Sequence, residues 1–104
     1  MGIQAVSKIE LPVRTATIAP DATVELDRFD STLVQYRVVM EVGSNLHTFQ
    51  LVCTENSDYT IHALVGPALD FDFIPGIDAP YVTISFKNNE ASDMICRVIE
   101  IESL

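Results

Sequence analysis

Apolar and polar positions alternate most clearly over residues 33–54. Val34, Tyr36, Val38, Met40 and Val42 share one parity, and Gln35, Arg37 and Glu41 take the other. A period of two with the apolar residues on one side predicts a strand with one buried face. Gly43-Ser44-Asn45 interrupts the run before Leu46-His47-Thr48-Phe49-Gln50-Leu51-Val52-Cys53-Thr54 resumes extension. Gly and Asn tolerate the positive φ of a tight reversal, so the break predicts a hairpin. This hairpin is the expected centre of an all-β domain.

The flanking runs are shorter. Val24 and Leu26 oppose Glu25 and Asp27 in a half-exposed strand. Glu55-Asn56-Ser57-Asp58 reads as a polar turn, and extension resumes through Tyr59-Thr60-Ile61-His62-Ala63-Leu64-Val65 until Gly66-Pro67 stops it. Leu69, Phe71 and Phe73 alternate with Asp70 and Asp72, which predicts burial of all three apolar residues. Pro75-Gly76-Ile77-Asp78-Ala79-Pro80 reads as a loop, and Lys87-Asn88-Asn89-Glu90 as a turn after Val82, Ile84 and Phe86 on one face. Residues 93–102 are apolar on both parities, the pattern of a strand covered on both sides. Breaks recur roughly every 8–12 residues and no helical period is sustained, so the predicted fold is an antiparallel β-sandwich of about seven to nine strands with no substantial helix.

The N-terminal stretch is read in two ways. Ile3-Gln4-Ala5-Val6-Ser7-Lys8-Ile9-Glu10-Leu11 and Val13-Arg14-Thr15-Ala16-Thr17-Ile18-Ala19 are extended in character, with Pro12 and Pro20 punctuating them. Prolines suit an edge strand, or an arm that adds to a neighbouring subunit by backbone hydrogen bonding. The expected division is an N-terminal extended arm or edge strand over residues 1–20 and a sandwich domain over residues 21–104.

Composition narrows the partners. A chain of 104 residues is one domain, long enough to bury roughly two-thirds of its unfolded surface. Fifteen acids against six Lys and Arg give a net charge of −9, spread along the chain. Phosphate binding needs clustered cations, so no nucleic-acid partner is expected, and an anionic membrane is disfavoured for the same reason. The 48% hydrophobic share is high for so acidic a chain, which points to apolar surface buried against another subunit, in a homo-oligomer. No secretory leader is recognised at the N-terminus, and no apolar run approaches the roughly 18 residues of a membrane span.

Candidate chemistry is sparse. Asp70 and Asp72, at i and i+2, would lie about 7 Å apart on one strand face, with Asp78 a conceivable third oxygen ligand for calcium. A solvated sheet face is the stronger reading, and no metal is expected. His47 and His62 lack zinc spacing and read as surface or rim residues. Cys53 beside either histidine lacks the orienting group and oxyanion site of a thiol nucleophile. Cys53 and Cys96 read as two free, buried thiols. No nucleophile elbow, phosphate loop or dinucleotide fingerprint is present, so neither an enzyme nor a cofactor is expected. Tyr59 and Tyr81, each beside a turn, are the aromatics that could face solvent and stack a sugar, whereas Tyr36 falls on the core parity.

Three features combine into a wider likeness. Leu26-Asp27-Arg28-Phe29-Asp30-Ser31 leads into Tyr36-Arg37-Val38-Val39-Met40-Glu41-Val42. Phe49-Gln50-Leu51-Val52 faces Tyr59-Thr60-Ile61-His62 across a polar turn. Phe71-Asp72-Phe73 precedes Val82-Thr83-Ile84-Ser85-Phe86-Lys87-Asn88 and the closing Cys96-Arg97-Val98-Ile99. In these features residues 24–101 resemble a small β-sandwich domain of tailed-bacteriophage virion structural proteins, found in tail-fibre, neck and head-decoration components. The chain departs from that pattern in carrying Pro75-Gly76-Ile77-Asp78-Ala79-Pro80 where such domains often have glycines between their last strands.

The resemblance implies a non-enzymatic virion structural protein with no catalytic residues. It would be assembled in the host cytoplasm and would attach to capsid or tail proteins as a homo-oligomer. An alternative expectation is a glycan- or protein-binding module of receptor-binding or adhesion type, acting through the loops around Asn56, Gly66, Gly76 and Asn88. A secreted or periplasmic adhesion domain would instead show a Cys53 to Cys96 bridge.

Overall fold

The computed structural model describes residues 12–104. It is all-β, with strands β1 (Val13–Ile18), β2 (Thr23–Phe29), β3 (Leu33–Val42), β4 (Asn45–Thr54), β5 (Tyr59–Val65), β6 (Phe71–Asp78), β7 (Tyr81–Asn88) and β8 (Met94–Ser103). They form two antiparallel sheets, one of five strands in the order β1-β8-β3-β4-β5 and one of three in the order β2-β7-β6. The sheets close on one core, the sandwich expected from the alternating pattern. Residues 1–11 of the expected arm or edge strand lie outside the described residues. Val13–Ile18 pairs with β8 at the edge of the large sheet.

The β3–β4 hairpin anchors this arrangement. Val42 pairs with Asn45 across a two-residue turn, so Asn45 belongs to β4 and Gly43 takes the required φ of +58°. Val34, Tyr36, Val38 and Met40 are buried on β3, as are Phe49, Leu51 and Cys53 on β4. From the small sheet they meet Leu26, Phe29, Val82, Ile84 and Phe86. Phe49 stacks on Phe71 with ring centroids 5.1 Å apart, and Phe86 closes edge-on against both.

Four elements differ from the pattern reading, each for a local reason. On β2, Glu25 pairs with Ser85 and Asp27 with Ile84, so Leu26 is the extra residue of a β-bulge. The bulge reverses the parity, which lets Leu26 and Phe29 both point inward although they are three apart. On β6, the strand continues through the expected loop as far as Asp78. An edge strand can carry Pro75, whose missing N–H has no ladder partner to lose. Gly76 fits because a Cβ there would stand 2.6 Å from the Thr83 hydroxyl. The same edge position leaves Phe71 and Phe73 half-buried, while Leu69 is buried as expected.

The other two concern β8 and β7. Only one face of β8 is buried, through Met94, Cys96 and Val98; among the described residues no layer covers Ile95 and Ile99 on the other face. A second bulge, where Gln35 pairs with Glu102 and Tyr36 with Glu100, shifts the parity near Ile101 and blurs the alternation. Asn88, expected in a surface turn, is fully buried at the end of β7. Its side-chain amide donates to the carbonyls of Ile18 and Ser92, both at 2.8 Å, and its side-chain oxygen accepts the Glu90 N–H at 2.8 Å. Its backbone receives the Asp21 N–H and donates to Ala22, which pins the β1–β2 turn to the β7–β8 connection.

Candidate functional site

The width mismatch between the sheets creates the candidate surface. On one side β1 lies against β2, with Ala16, Ala22 and Val24 filling in against the core. On the other side β5 projects beyond the small sheet. Register places Tyr59, Ile61 and Ala63 opposite Cys53, Leu51 and Phe49, hence on the inward face, yet every residue of β5 is exposed. Phe73 and Pro75 of β6 face the same opening, and the Tyr59 ring meets Phe73 edge-on at 4.7 Å. Ile77, also inward by its pairing with Val82, is 63% exposed. The result is an open apolar seam between β5 and β6.

The seam runs into a cleft at one end of the sandwich. There the β2–β3, β4–β5 and β6–β7 turns converge around a space of about 360 Å³ bordered by Asp30, Ser31, Glu55, Asn56, Ile77 and Tyr81. Tyr81 is 38% exposed, and its ring is held from one side by Arg28, whose guanidinium carbon stands 5.5 Å from the ring centroid. Arg28 in turn bonds Glu25 at 2.9 Å and Asp78 at 3.2 Å, an arrangement that orients the ring more than it stabilises the fold. The cleft thus offers one aromatic face and several hydrogen-bonding groups.

The residues singled out in the sequence are distributed as follows. Asp70 and Asp72 are exposed near the start of β6, and Asp78 is six residues along the strand from Asp72, about 20 Å away, where it pairs with Arg28. Among the described residues no three His, Cys, Asp or Glu side chains are grouped to hold a metal ion. His47 is buried, a correction to its reading as a rim residue: it continues the Phe49, Leu51 and Cys53 parity of β4 and packs 5.6 Å from the Phe49 ring. Among the described residues its Nδ1 has no hydrogen-bond partner. His62 is exposed on β5. Asn56 lies at the cleft end, Gly66 and Asn88 at the opposite end, and Gly76 within a strand, so these four do not form one surface.

Both cysteines are free and buried. Cys53 pairs with Val34 and Cys96 with Met40, positions six residues apart on β3, or about 20 Å. A disulfide needs Cα atoms within about 7 Å, so the bridge of the adhesion reading is not made in this fold. Burial pushes both thiols upward, Cys96 to about 12, which leaves neither a ready nucleophile.

Pattern reading missed two features. One is the Tyr36 hydroxyl, which donates to Asp27 Oδ2 at 2.8 Å and ties the two sheets together; the bulge at Leu26 sets Asp27 there. The other is the seam, because alternation marks the inward face without showing how far the facing sheet extends. No protein-family model matches the chain, and no curated protein matches its sequence.

Proposed function

We propose that the chain is a non-enzymatic structural subunit of a tailed-bacteriophage particle, a head-decoration, neck or tail accessory component that attaches to neighbouring proteins through the open β5/β6 side. The observation that carries this reading is that seam: a well-packed sandwich leaves the inward-facing Tyr59, Ile61 and Ile77 exposed along one side. Contiguous apolar surface of this kind marks an interaction site. The acidic charge keeps the remaining surface soluble and disfavours nucleic acid and anionic membrane. The resemblance of residues 24–101 to virion sandwich domains supplies the particle.

Density-banded particles from a lysate that produces the chain test the proposal by quantitative mass spectrometry. The chain is expected at a fixed ratio to the major capsid or tail protein. Its abundance in the soluble lysate together with absence from the particles would overturn the reading.

The cleft supports a second reading, a glycan-binding module. The Tyr81 ring supplies a stacking face, and Asp30, Ser31, Glu55 and Asn56 can accept or donate hydrogen bonds to sugar hydroxyls. Saturable binding on a glycan array that disappears with Tyr81→Ala would favour this reading over the scaffold.

A further inference from the structure

The cleft at the end of the sandwich carries an uncompensated charge. Two of the residues that border it are charged, Asp30 and Glu55, and both are acids; no Lys, Arg or His stands among them. The ion pairs among the described residues join Arg28 to Glu25 and Asp78, and Arg97 to Glu41, so neither cleft carboxylate has a cation of its own. Arg28 lies against the Tyr81 ring, but its charge is already taken up by its two partners. The carboxylates are also held near one another. Asp30 follows β2 and Glu55 follows β4, and the Glu55 N–H donates to the Thr32 carbonyl at 2.9 Å, which ties the two turns together.

We infer that the cleft takes a sugar bearing a free, protonated amino group, with its carbon face on the Tyr81 ring and its ammonium against Asp30 and Glu55. This occupant rests on the glycan-binding reading of the cleft and narrows it to one class of sugar. Charge makes the selection. A hydrogen bond from an ammonium to a carboxylate is roughly twice as strong as one between neutral groups. A neutral ring would take water from two carboxylates without returning a charge. A uronic, sialic or phosphorylated sugar would meet like charge in the cleft, within the field of a chain of net charge −9, and the same field draws a cation in.

The remaining groups suit a ring better than a bare amine. Tyr81 offers an aromatic face, Phe29 and Val82 add apolar wall, and Ser31 and Asn56 supply hydrogen-bonding groups for hydroxyls. The Ser31 Oγ shares one hydrogen bond with Ser103 at 2.6 Å and keeps capacity for another. At about 360 Å³ the space lies within the usual range of small-molecule clefts, roughly 300–1,000 Å³.

Isothermal titration calorimetry on the full chain tests the assignment at about pH 6, below the range in which amines lose their proton. The probes are a glucosamine disaccharide, its N-acetylated counterpart and n-hexylamine. Saturable binding of the glucosamine disaccharide is expected, with a Kd about tenfold below that of the acetylated sugar. Glu55→Gln should erase that preference with an unchanged far-UV spectrum, and Tyr81→Ala should abolish binding of both sugars. Should Glu55→Gln fail to fold, Asp30→Asn carries the same expectation. Equal affinity for the two sugars overturns the assignment of an amino sugar and leaves the glycan reading standing. Binding of neither removes both. Hexylamine binding as tightly as the amino sugar also overturns the assignment, since the cleft would then recognise an ammonium without its ring.

Discussion

On one side of the sandwich β1 and β2 close against each other; on the other, β5 and β6 part around a seam. Both sides carry apolar inward residues, Ala16 and Ile18 on β1 and Tyr59 and Ile61 on β5. Ile18, at the end of β1, is fully buried, whereas Ile61, equally inward on β5, is exposed. The difference lies in the cover. Five strands face three, and the small sheet is set toward the β1 side, where the buried Asn88 amide fastens the turns together. Burial of a β-residue thus depends on the reach of the opposite layer as much as on its own side chain.

The comparison is broken most sharply by removing the fastening. Asn88→Ala leaves the Ile18 and Ser92 carbonyls and the Glu90 N–H without their partner, in a buried site. The expected loss of unfolding free energy is about 3 kcal/mol, read from the urea midpoint. A loss below about 1 kcal/mol would show that water or relaxation replaces those bonds and that the closed side does not depend on them.

A smaller effect is expected at the centre of the sandwich. Tyr36→Phe removes the bond to Asp27 and should cost about 1–2 kcal/mol at neutral pH. Burial, reinforced by the bond to the Asp27 carboxylate, holds the Tyr36 phenol above its ordinary value of about 10. The folded protein therefore keeps a proton that the unfolded chain releases. The resulting stabilisation is complete below about pH 10 and is lost progressively as the pH rises beyond it. Cys96, held up to about 12 by burial, adds to the same alkaline limb from about pH 9. Thermal melts across pH 8–11 should accordingly fall less steeply for Tyr36→Phe than for wild type. Parallel curves for the two proteins would exclude the phenol as a source of the alkaline loss.

The smallest stability change is expected on the open side. Ile77→Ser should change the unfolding free energy, read from the urea midpoint, by less than about 0.5 kcal/mol, because the residue is 63% exposed. Its effect should fall on attachment, measured as loss of the protein from particles in a competition against wild type. A large destabilisation with normal attachment would make the seam part of the core and remove the contrast between the two sides.

Much of this architecture was legible in the chain. The hairpin of β3 and β4 was readable because Val34, Tyr36, Val38, Met40 and Val42 hold one parity throughout and Gly43 marks the reversal. Where alternation slipped, the cause was an inserted residue or an edge. The Leu26 bulge and the pairing shift beside Ile101 each exchange inside for outside, and Pro75 resembles a loop signal until β6 is seen to have a free side. His47 was readable from its parity with Phe49, but its chemistry suggested the surface. The cleft was less accessible, since Asp30, Asn56 and Tyr81 come together only through the meeting of three separate turns. The seam could not be read at all from one strand, because it depends on where another sheet stops.

The strand order has a consequence for how the molecule is made. β8 lies between β1 and β3, so the large sheet is joined by pairings such as Val13 with Ile99 and Val38 with Val98. Contacts so distant along the chain must wait for long loops to close, which places folding on the slow end for domains of this size, about milliseconds to seconds. As the described strands emerge from the ribosome in order, β3, β4 and β5 can meet early, while β1 has no partner among the described strands of its sheet until β8 arrives. During that interval β3 and β5 both present unpaired edges, the kind of surface that exposes a growing sheet to mispairing before it is complete.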